Sequence, residues 1–505
     1  MHSSMSAAGA EIETKVPARL DRLPWARWHW IVIIGLGTVW ILDGLEVTII
    51  GSIGDRLTES GSGIALDASQ IGSAAACYVA GACVGALFFG QLTDRFGRKK
   101  LFLVTLGLYI VATVATGLAW TAWYFFACRF LTGMGIGGEY AAINSAIDEL
   151  IPARLRGRVN LMINGSYWVG ASVGALLTVP LLDTSIFAMD FGWRLAFLIG
   201  AVLGVGILIV RSSVPESPRW LFIHGRDDEA EEIVGEIEGE VRTETGEELE
   251  EVPDDAKLTI HQRATIPFRE IASVAIHKYP KRTVLGLSLF VGQAFLYNAV
   301  TFDLGTILGE FFNVGSGQVP LYIAVFGISN FIGPLTLGRL FDTVGRKIMI
   351  SLCYLTSAAL TAVLGIVLLS TTPSTLAFMA FVLTIFFFAS SGASAAYLTV
   401  SEIFPMESRA LSIAFFYAVG TGLGGIVGPL LFGELINTGE LEKVALGFLI
   451  GAVVMAVGGI AEILFGVDAE GKTLESIAKP LSAAKRRVQS GSDVESGQEP
   501  PAAIV

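Results

Sequence analysis

Charge is scarce along this chain. Only 16% of its 505 residues are Asp, Glu, Lys or Arg, against 53% hydrophobic, which excludes a water-soluble globular protein because so few charges cannot cover a solvated surface. Cysteine is scarcer. Cys77, Cys83, Cys128 and Cys353 each sit inside an apolar run without metal-ligand spacing, so neither a disulfide framework nor a metal module is expected, only structural thiols. Of the five histidines none lies deep in an apolar run, which excludes a histidine proton relay. No Walker A loop occurs, and the G-x-G-x-x-G type matches fall in glycine-rich apolar runs with no strand before them, which excludes a nucleotide-driven pump. No cofactor and no nucleic-acid partner are expected. No signal peptide is apparent either, since residues 1–24 are mostly polar and the first apolar run is too long for one.

What the chain has instead is apolar length. A membrane-spanning helix needs about 20 mostly apolar residues, and twelve such runs are legible, at 29–54, 69–92, 101–120, 122–147, 159–182, 193–211, 283–309, 318–340, 348–370, 375–401, 410–436 and 443–466. Six fall in each half, and the halves are copies. GQLTDRFGRKK from Gly90 returns as GRLFDTVGRKI from Gly338, and E-x-x-P-x-x-x-R recurs at Glu149 and Glu402. Two unrelated patterns repeating in order, 248 and 253 residues apart, mark a duplicated unit. The expectation is an all-α membrane protein in two pseudo-repeated six-helix bundles, 29–211 and 283–466. They are flanked by an N-terminal segment 1–28, a linker 212–282 and a polar tail 467–505, largely disordered.

Lysine and arginine near helix ends set orientation. One face carries Arg95, Arg98, Lys99, Lys100, Arg154, Arg156, Arg158, Lys278, Lys281, Arg282, Arg346, Lys347 and Arg409, and the other little beyond Arg56 and Lys443. The basic face is expected in the cytoplasm of a cell whose plasma or inner membrane holds the chain, with both termini inside. Most of the net charge of −12 comes from Asp227–Asp255, with fifteen acids against Arg242. Ala230, Ile233, Val234, Ile237 and Val241 repeat there at helical spacing, so an acidic amphipathic helix is predicted, read as a solvated face.

Several stretches resemble one family. GQLTDRFGRKK is similar to the loop between helices 2 and 3 of the major facilitator superfamily. RFLTGMGIGGE (Arg129 to Glu139), PESPRWL (Pro215 to Leu221) and SEIFP (Ser401 to Pro405) resemble its sugar-porter branch and related metabolite:proton symporters. The resemblance covers nearly the whole chain and implies two bundles rocking about a central site by alternating access. It also implies cytoplasmic salt bridges that latch the halves, from Asp94, Arg95, Arg98, Glu149 and Arg156 in the first copy and Asp342, Arg346, Glu402 and Arg409 in the second. The second copy has Thr343 where the first has Arg95, so a weaker latch is expected there.

Acids at membrane depth are costly and are functional candidates by default. Asp43 and Glu46, three apart in the first run, share a helical face. Gly44-Leu45-Glu46 resembles the G-Y-D of sugar:proton symporters, which gives Glu46 a proton-carrier role; Asp43 fits the D-G-x-D of aromatic-acid symporters, so which acid titrates stays open. Arg129 is the only arginine well inside a predicted span, and a buried charge requires a partner: Glu46 or Asp43, or else Glu139 on its own helix. Glycines four apart (81/85, 133/137, 170/174, 424/428) predict close helix packing.

Polar and aromatic stripes mark the expected solute contacts: Asn164, Tyr167 and Trp168 on helix 5, and Ser394 and Tyr397 on helix 10. GQAFLYNAV on helix 7 resembles the Q-Q-x-S-G-x-N of sugar porters, with Gln293 and Asn298 in register. Asn164 stands where that family has a glutamine and Tyr397 where it has a tryptophan. AEGKTLESI (Ala469 to Ile477) resembles a degraded E-T-x-G ending. The combined expectation is a monomeric, proton-coupled symporter of a small polar metabolite, with a sugar or polyol favoured. Alternatives are a carboxylate or aromatic-acid symporter, an uncoupled facilitator, an exporter, and a non-transporting nutrient sensor, for which the short linker and tail provide no output domain.

Overall fold

In hydrocarbon every backbone N–H and C=O must be satisfied from within its own segment, so the apolar runs become helices. The computed structural model describes residues 11–66, 68–212, 216–253, 257–261, 273–315, 318–405 and 409–478; the tail expected beyond 480 lies outside the described residues. A strand β1 (Glu11–Thr14) and helix α1 (Val16–Asp21) precede the first half, which runs α2 (Arg27–Thr58), α3 (Ala68–Phe96), α4 (Arg98–Gly117), α5 (Ala122–Leu150), α6 (Arg156–Gly165), α7 (Tyr167–Leu181) and α8 (Gly192–Ser212). The linker holds α9 (Pro218–Ile223), α10 (Asp227–Thr245) and strand β2 (Leu258–His261). The second half runs α11 (Pro280–Phe312), α12 (Val319–Thr343), α13 (Arg346–Ser370), α14 (Thr375–Ile403), α15 (Arg409–Asn437) and α16 (Leu441–Phe465), followed by the single turn α17 (Leu474–Ile477).

Ten of these helices are long and apolar enough to cross a membrane. The other two spans are α5, whose hydropathy is lowered by Arg129, Glu139 and its glycines, and the pair α6 and α7, each too short alone. The Ser166 N–H still donates to Met162 O at 3.0 Å, so α6 and α7 stack as one rod with a single turn between them. The result is twelve transmembrane helices in two six-helix bundles, the architecture expected from the sequence repeats. Lipid-facing Val111, Val202, Ile209 and Val453 are exposed, a surface that only a bilayer solvates. Trp120, between α4 and α5, and Trp123, in the first turn of α5, stand exposed, the place of an interfacial aromatic belt.

The glycines four apart do what small residues do in membranes. A Cβ on Gly81 or Gly85 would overlap the carbonyls of Phe130 or Met134, and one on Gly133 or Gly137 those of Tyr78 or Ala82, so α3 and α5 interlock backbone to backbone. Gly44 against the Tyr167 carbonyl and Gly170 against that of Ile41 join α2 to α7 in the same way, and Gly424 and Gly428 bring α15 onto α11 at Phe295. The repeated loops share one further device. Gly97 (φ +95°) and Gly345 (φ +118°) occupy matching places ahead of α4 and α13, in a region of backbone space where a side chain is strained. An acid arriving after the sixth span of each half reaches the same spot: Glu216 accepts the Lys99 N–H at 3.1 Å and Glu470 the Arg346 N–H at 3.4 Å.

The acidic helix is not simply a solvated face. Ala230, Val234, Ile237 and Val241 of α10 are buried, and Glu238 among them accepts Arg19 Nε at 2.9 Å, Arg19 Nη2 at 2.7 Å and Arg22 Nη2 at 2.7 Å. Burial pushes the Glu238 carboxyl up, but the hydrogen bonds from Arg19 and Arg22 outweigh it and hold the group below the usual glutamate value. β1 also pairs antiparallel with β2, Glu11 opposite His261. The N-terminal segment is thus docked on the linker, a correction to the reading of that helix as solvent-facing. The correction arises because its apolar stripe meets α1, more than 200 residues away in sequence.

Candidate functional site

Gly44 pressed against Tyr167 fixes the rotation of α2 and turns Asp43 and Glu46 inward; both are buried, as is Arg129 on α5. Of the partners the sequence left open, Arg129 takes Glu46: Nη1 lies 2.5 Å from Glu46 Oε1. The guanidinium also sits over the Tyr78 ring, 4.6 Å from its centroid. Glu139 is buried on the same helix as Arg129 but ten residues along, about 15 Å by helical rise, so it is not that arginine's ion-pair partner. The pair uses one oxygen and one nitrogen. Glu46 Oε2 and Arg129 Nε have no hydrogen-bond partner among the described residues, and neither has either oxygen of Asp43, one turn away.

Beside this pair lies a cavity of about 140 Å³ between the two halves, and all seven side chains expected to meet the solute line it: Asn164, Tyr167, Trp168, Gln293, Asn298, Ser394 and Tyr397. They come from α6, α7, α11 and α14. Nine aromatic rings line it in total, among them Trp40, Tyr78, Tyr140, Tyr297 and Tyr417, together with the hydroxyls of Thr301, Ser390 and Thr421. No described lining residue carries a charge. Trp40 stacks on Tyr140 at 4.6 Å, and Tyr397 from the second half meets Trp40 edge-on at 6.0 Å, so the aromatic floor is shared by both halves. Several polar groups are already occupied: Asn164 Nδ2 donates to Asn160 Oδ1 at 2.9 Å and Tyr297 Oη to Asn330 Oδ1 at 2.7 Å. Trp40 Nε1 and Tyr78 Oη are buried without a hydrogen-bond partner among the described residues, which leaves them available to a bound solute.

Sequence reasoning missed Trp40, Tyr78, Tyr297 and Tyr417 as lining groups. An aromatic residue on an apolar helix face reads as packing. The signal available was position: Trp40 stands three residues before Asp43 and Tyr297 next to Asn298, on faces already marked by polar residues.

The halves meet again at the end of the bundle that carries the basic loops. Asp342 accepts the main-chain N–H of Gly157 at 3.0 Å and of Arg158 at 2.7 Å, the first N–H groups of α6, where the helix dipole favours an anion. Arg346 holds Asp342 at 2.7 Å and Glu402 through Nε and Nη2, both at 3.0 Å. Arg156 of the first half stands 3.8 Å from Glu402 and 3.4 Å from Asp21 of the docked N-terminal segment. The second copy's acids and arginine are therefore closely joined despite Thr343. The side chains of Asp94, Arg95, Arg98, Glu149 and Arg409 lie outside the described residues.

Two duplicated six-helix bundles, joined at their basic end beneath a polar and aromatic central cavity, define a membrane carrier of the major facilitator type, not an enzyme. The family model of sugar (and other) transporters matches residues 30–480, and the chain belongs to that family. It is 27% identical to the niacin transporter NiaP of Acinetobacter baylyi over 91% of this chain and 99% of that protein. It is 23% identical to the 4-hydroxybenzoate transporter PcaK of Pseudomonas putida over 92% and 98%. Among solved structures, the major facilitator proton:xylose symporter XylE bound to 6-bromo-6-deoxy-D-glucose matches with a TM-score of 0.74 at 19% identity, covering 89% of this chain and 98% of that one. That likeness concerns the fold.

Proposed function

We propose that the chain is a proton-coupled symporter that carries a small, uncharged or cationic, ring-shaped polar metabolite across the cell membrane, works as a monomer, and has its basic end and both termini in the cytoplasm. The observation that carries this reading is the buried, singly bonded Glu46–Arg129 pair next to the unpartnered Asp43. Protonation of Glu46 removes the attraction that holds Arg129, and deprotonation restores it, so proton binding and helix contact are linked at one point. Asp43 is the entry acid one turn away, and Glu139 the buried acid further along α5. Asn164, Gln293, Asn298 and Ser394 supply hydrogen bonds to the solute, and Tyr167, Trp168 and Tyr397 supply faces for a ring. The Asp342–Arg346–Glu402 cluster with Arg156 closes the cytoplasmic side. The joined basic end supports an outward-facing or occluded state. A proton moving down 100 mV yields about 2.3 kcal/mol, equivalent to nearly fifty-fold accumulation.

A sugar or polyol fits the amide side chains, and a neutral heteroaromatic ring fits the nine aromatic rings. A second reading, an aromatic monocarboxylate, is favoured by Arg129: its guanidinium lies over Tyr78, which lines the cavity, and is free to take a carboxylate once Glu46 is protonated. The names of the niacin and 4-hydroxybenzoate relatives support it.

The test is uptake by the purified protein in proteoliposomes, with hexoses, pentoses, polyols, nicotinamide, nicotinate, 4-hydroxybenzoate and organic cations, each with and without an inward proton gradient. Concentrative uptake of a neutral or cationic ring only with the gradient, lost in Glu46→Gln, is the expected result. Concentrative uptake confined to the carboxylates establishes the second reading. Equal, non-concentrative entry without a gradient overturns proton coupling.

A further inference from the structure

On the side of the central cavity away from the basic end, a second and larger chamber of about 350 Å³ opens between α2, α3, α11 and α15. The two chambers share one wall. Thr301 and Phe302 line the central cavity, Phe302 and Asp303 line the outer one, and these three residues are consecutive on α11. A solute moving inward therefore passes Asp303 before Phe302.

Asp303 stands nine residues before the end of α11, about 14 Å into the span by helical rise, and an acid at such depth needs a reason. Its Oδ2 is buried and has no hydrogen-bond partner among the described residues. Glu434 of α15 lines the same chamber, and no lysine, arginine or histidine is among its described lining residues. The remaining walls are mostly apolar, including Ile50, Ile71, Val319, Ile426 and Leu430. A bare metal ion is usually held by a cluster of carboxylate, imidazole or thiolate groups, and no group of three His, Cys, Asp or Glu side chains able to hold one occurs among the described residues. Apolar walls around an acid suit a small organic cation, with its hydrocarbon on the walls and its charge on the carboxylate.

We propose that this chamber is a cation-selecting antechamber in which Asp303, with Glu434 in the same lining, draws small organic ammonium ions toward Phe302 and turns anions away. A cleft lined by one sign of charge raises the local concentration of the opposite sign by tenfold or more. The inference goes beyond proton coupling and stands whether or not coupling is found.

The experiment uses the full chain in membranes, with the four native cysteines replaced by serine and Ala76→Cys introduced in the chamber wall. Its thiol is reacted with the trimethylammonium-ethyl and the sulfonatoethyl methanethiosulfonates, and each rate is divided by that of a free thiol in solution. The cationic reagent is expected to be favoured about tenfold, the preference to fall at least threefold in Asp303→Asn, and to survive in Asp303→Glu. Asp303→Ser serves the same purpose if the asparagine variant does not reach the membrane. No cationic preference, or one that Asp303→Asn and Asp303→Ser leave unchanged, overturns the proposal. Because no solute is transported in this assay, failure of the symport reading leaves its result intact, and the reverse holds too.

Discussion

The main-chain N–H of Gly157 donates to the carboxylate of Asp342 at 3.0 Å, which fastens the first turn of α6 in one half to the end of α12 in the other. Arg158 doubles the link and Arg346 steadies the acid from behind, so a single carboxylate carries much of the seam at the basic end.

Removing that carboxylate should open the seam. Asp342→Ala is expected to cost the closed form on the order of 2 kcal/mol, the scale of a hydrogen bond to a charged group, or about a thirtyfold shift toward the form open at the basic end. Spin labels at Lys100→Cys and Arg339→Cys, both exposed, report it as growth of a longer distance population; an unchanged distribution contradicts the assignment.

The buried Glu46–Arg129 pair makes a different prediction. Glu46→Gln leaves Arg129 charged and unpaired, and breaking a buried pair from one side costs about 3–5 kcal/mol. Thermal denaturation in detergent should show a lowered midpoint, and Glu46→Gln with Arg129→Met should recover most of it. Neither variant should accumulate solute on a proton gradient.

Which acid Arg129 takes was not legible in the sequence, because Asp43 and Glu46 share a face; the choice follows from the rotation of α2, which Gly44 sets by touching Tyr167. The twelve spans and the stripes on α6, α7, α11 and α14 were legible because helical periodicity and hydropathy are local. The aromatic half of the cavity was not: Trp40, Tyr78, Tyr297 and Tyr417 differ from core residues only in what they face. Docking of α1 on α10 joins Arg19 to Glu238, 219 positions apart, and carries no local signature at all.

Glycine substitution separates packing from function. Gly137→Ala places a methyl on the Ala82 carbonyl and should destabilise by about 1–3 kcal/mol, the usual cost of overpacking. Gly107→Ala meets nothing within 4 Å and should gain up to about 1 kcal/mol from helix propensity. Paired melting curves decide; equal midpoints would contradict the backbone contact.

The docked N-terminal segment should respond to acid. Glu238 is held below its ordinary value of 4.5, so its contribution is present above that value and is lost as pH falls through the depressed one. A label pair at Ala18→Cys and Gly235→Cys should keep its short distance from pH 7 to about 4.5 and lengthen below. Glu238→Gln should lengthen it already at pH 7. A distance indifferent to both would mean that Arg19 and Arg22 do not hold the segment.

The interlocked glycines have a consequence for how such a carrier can change over generations. Inside each half, helices meet through bare backbone at positions such as Gly44, Gly81 and Gly133, where almost any replacement is excluded by volume. Between the halves one such glycine, Gly327, approaches the Trp168 carbonyl, but it is accompanied by individual polar groups, such as the Ser172 hydroxyl on the Ala324 carbonyl at 2.9 Å, which one substitution can strengthen or remove. Inheritance therefore holds the two halves nearly fixed while leaving the speed and bias of their exchange open to small, separate mutational steps.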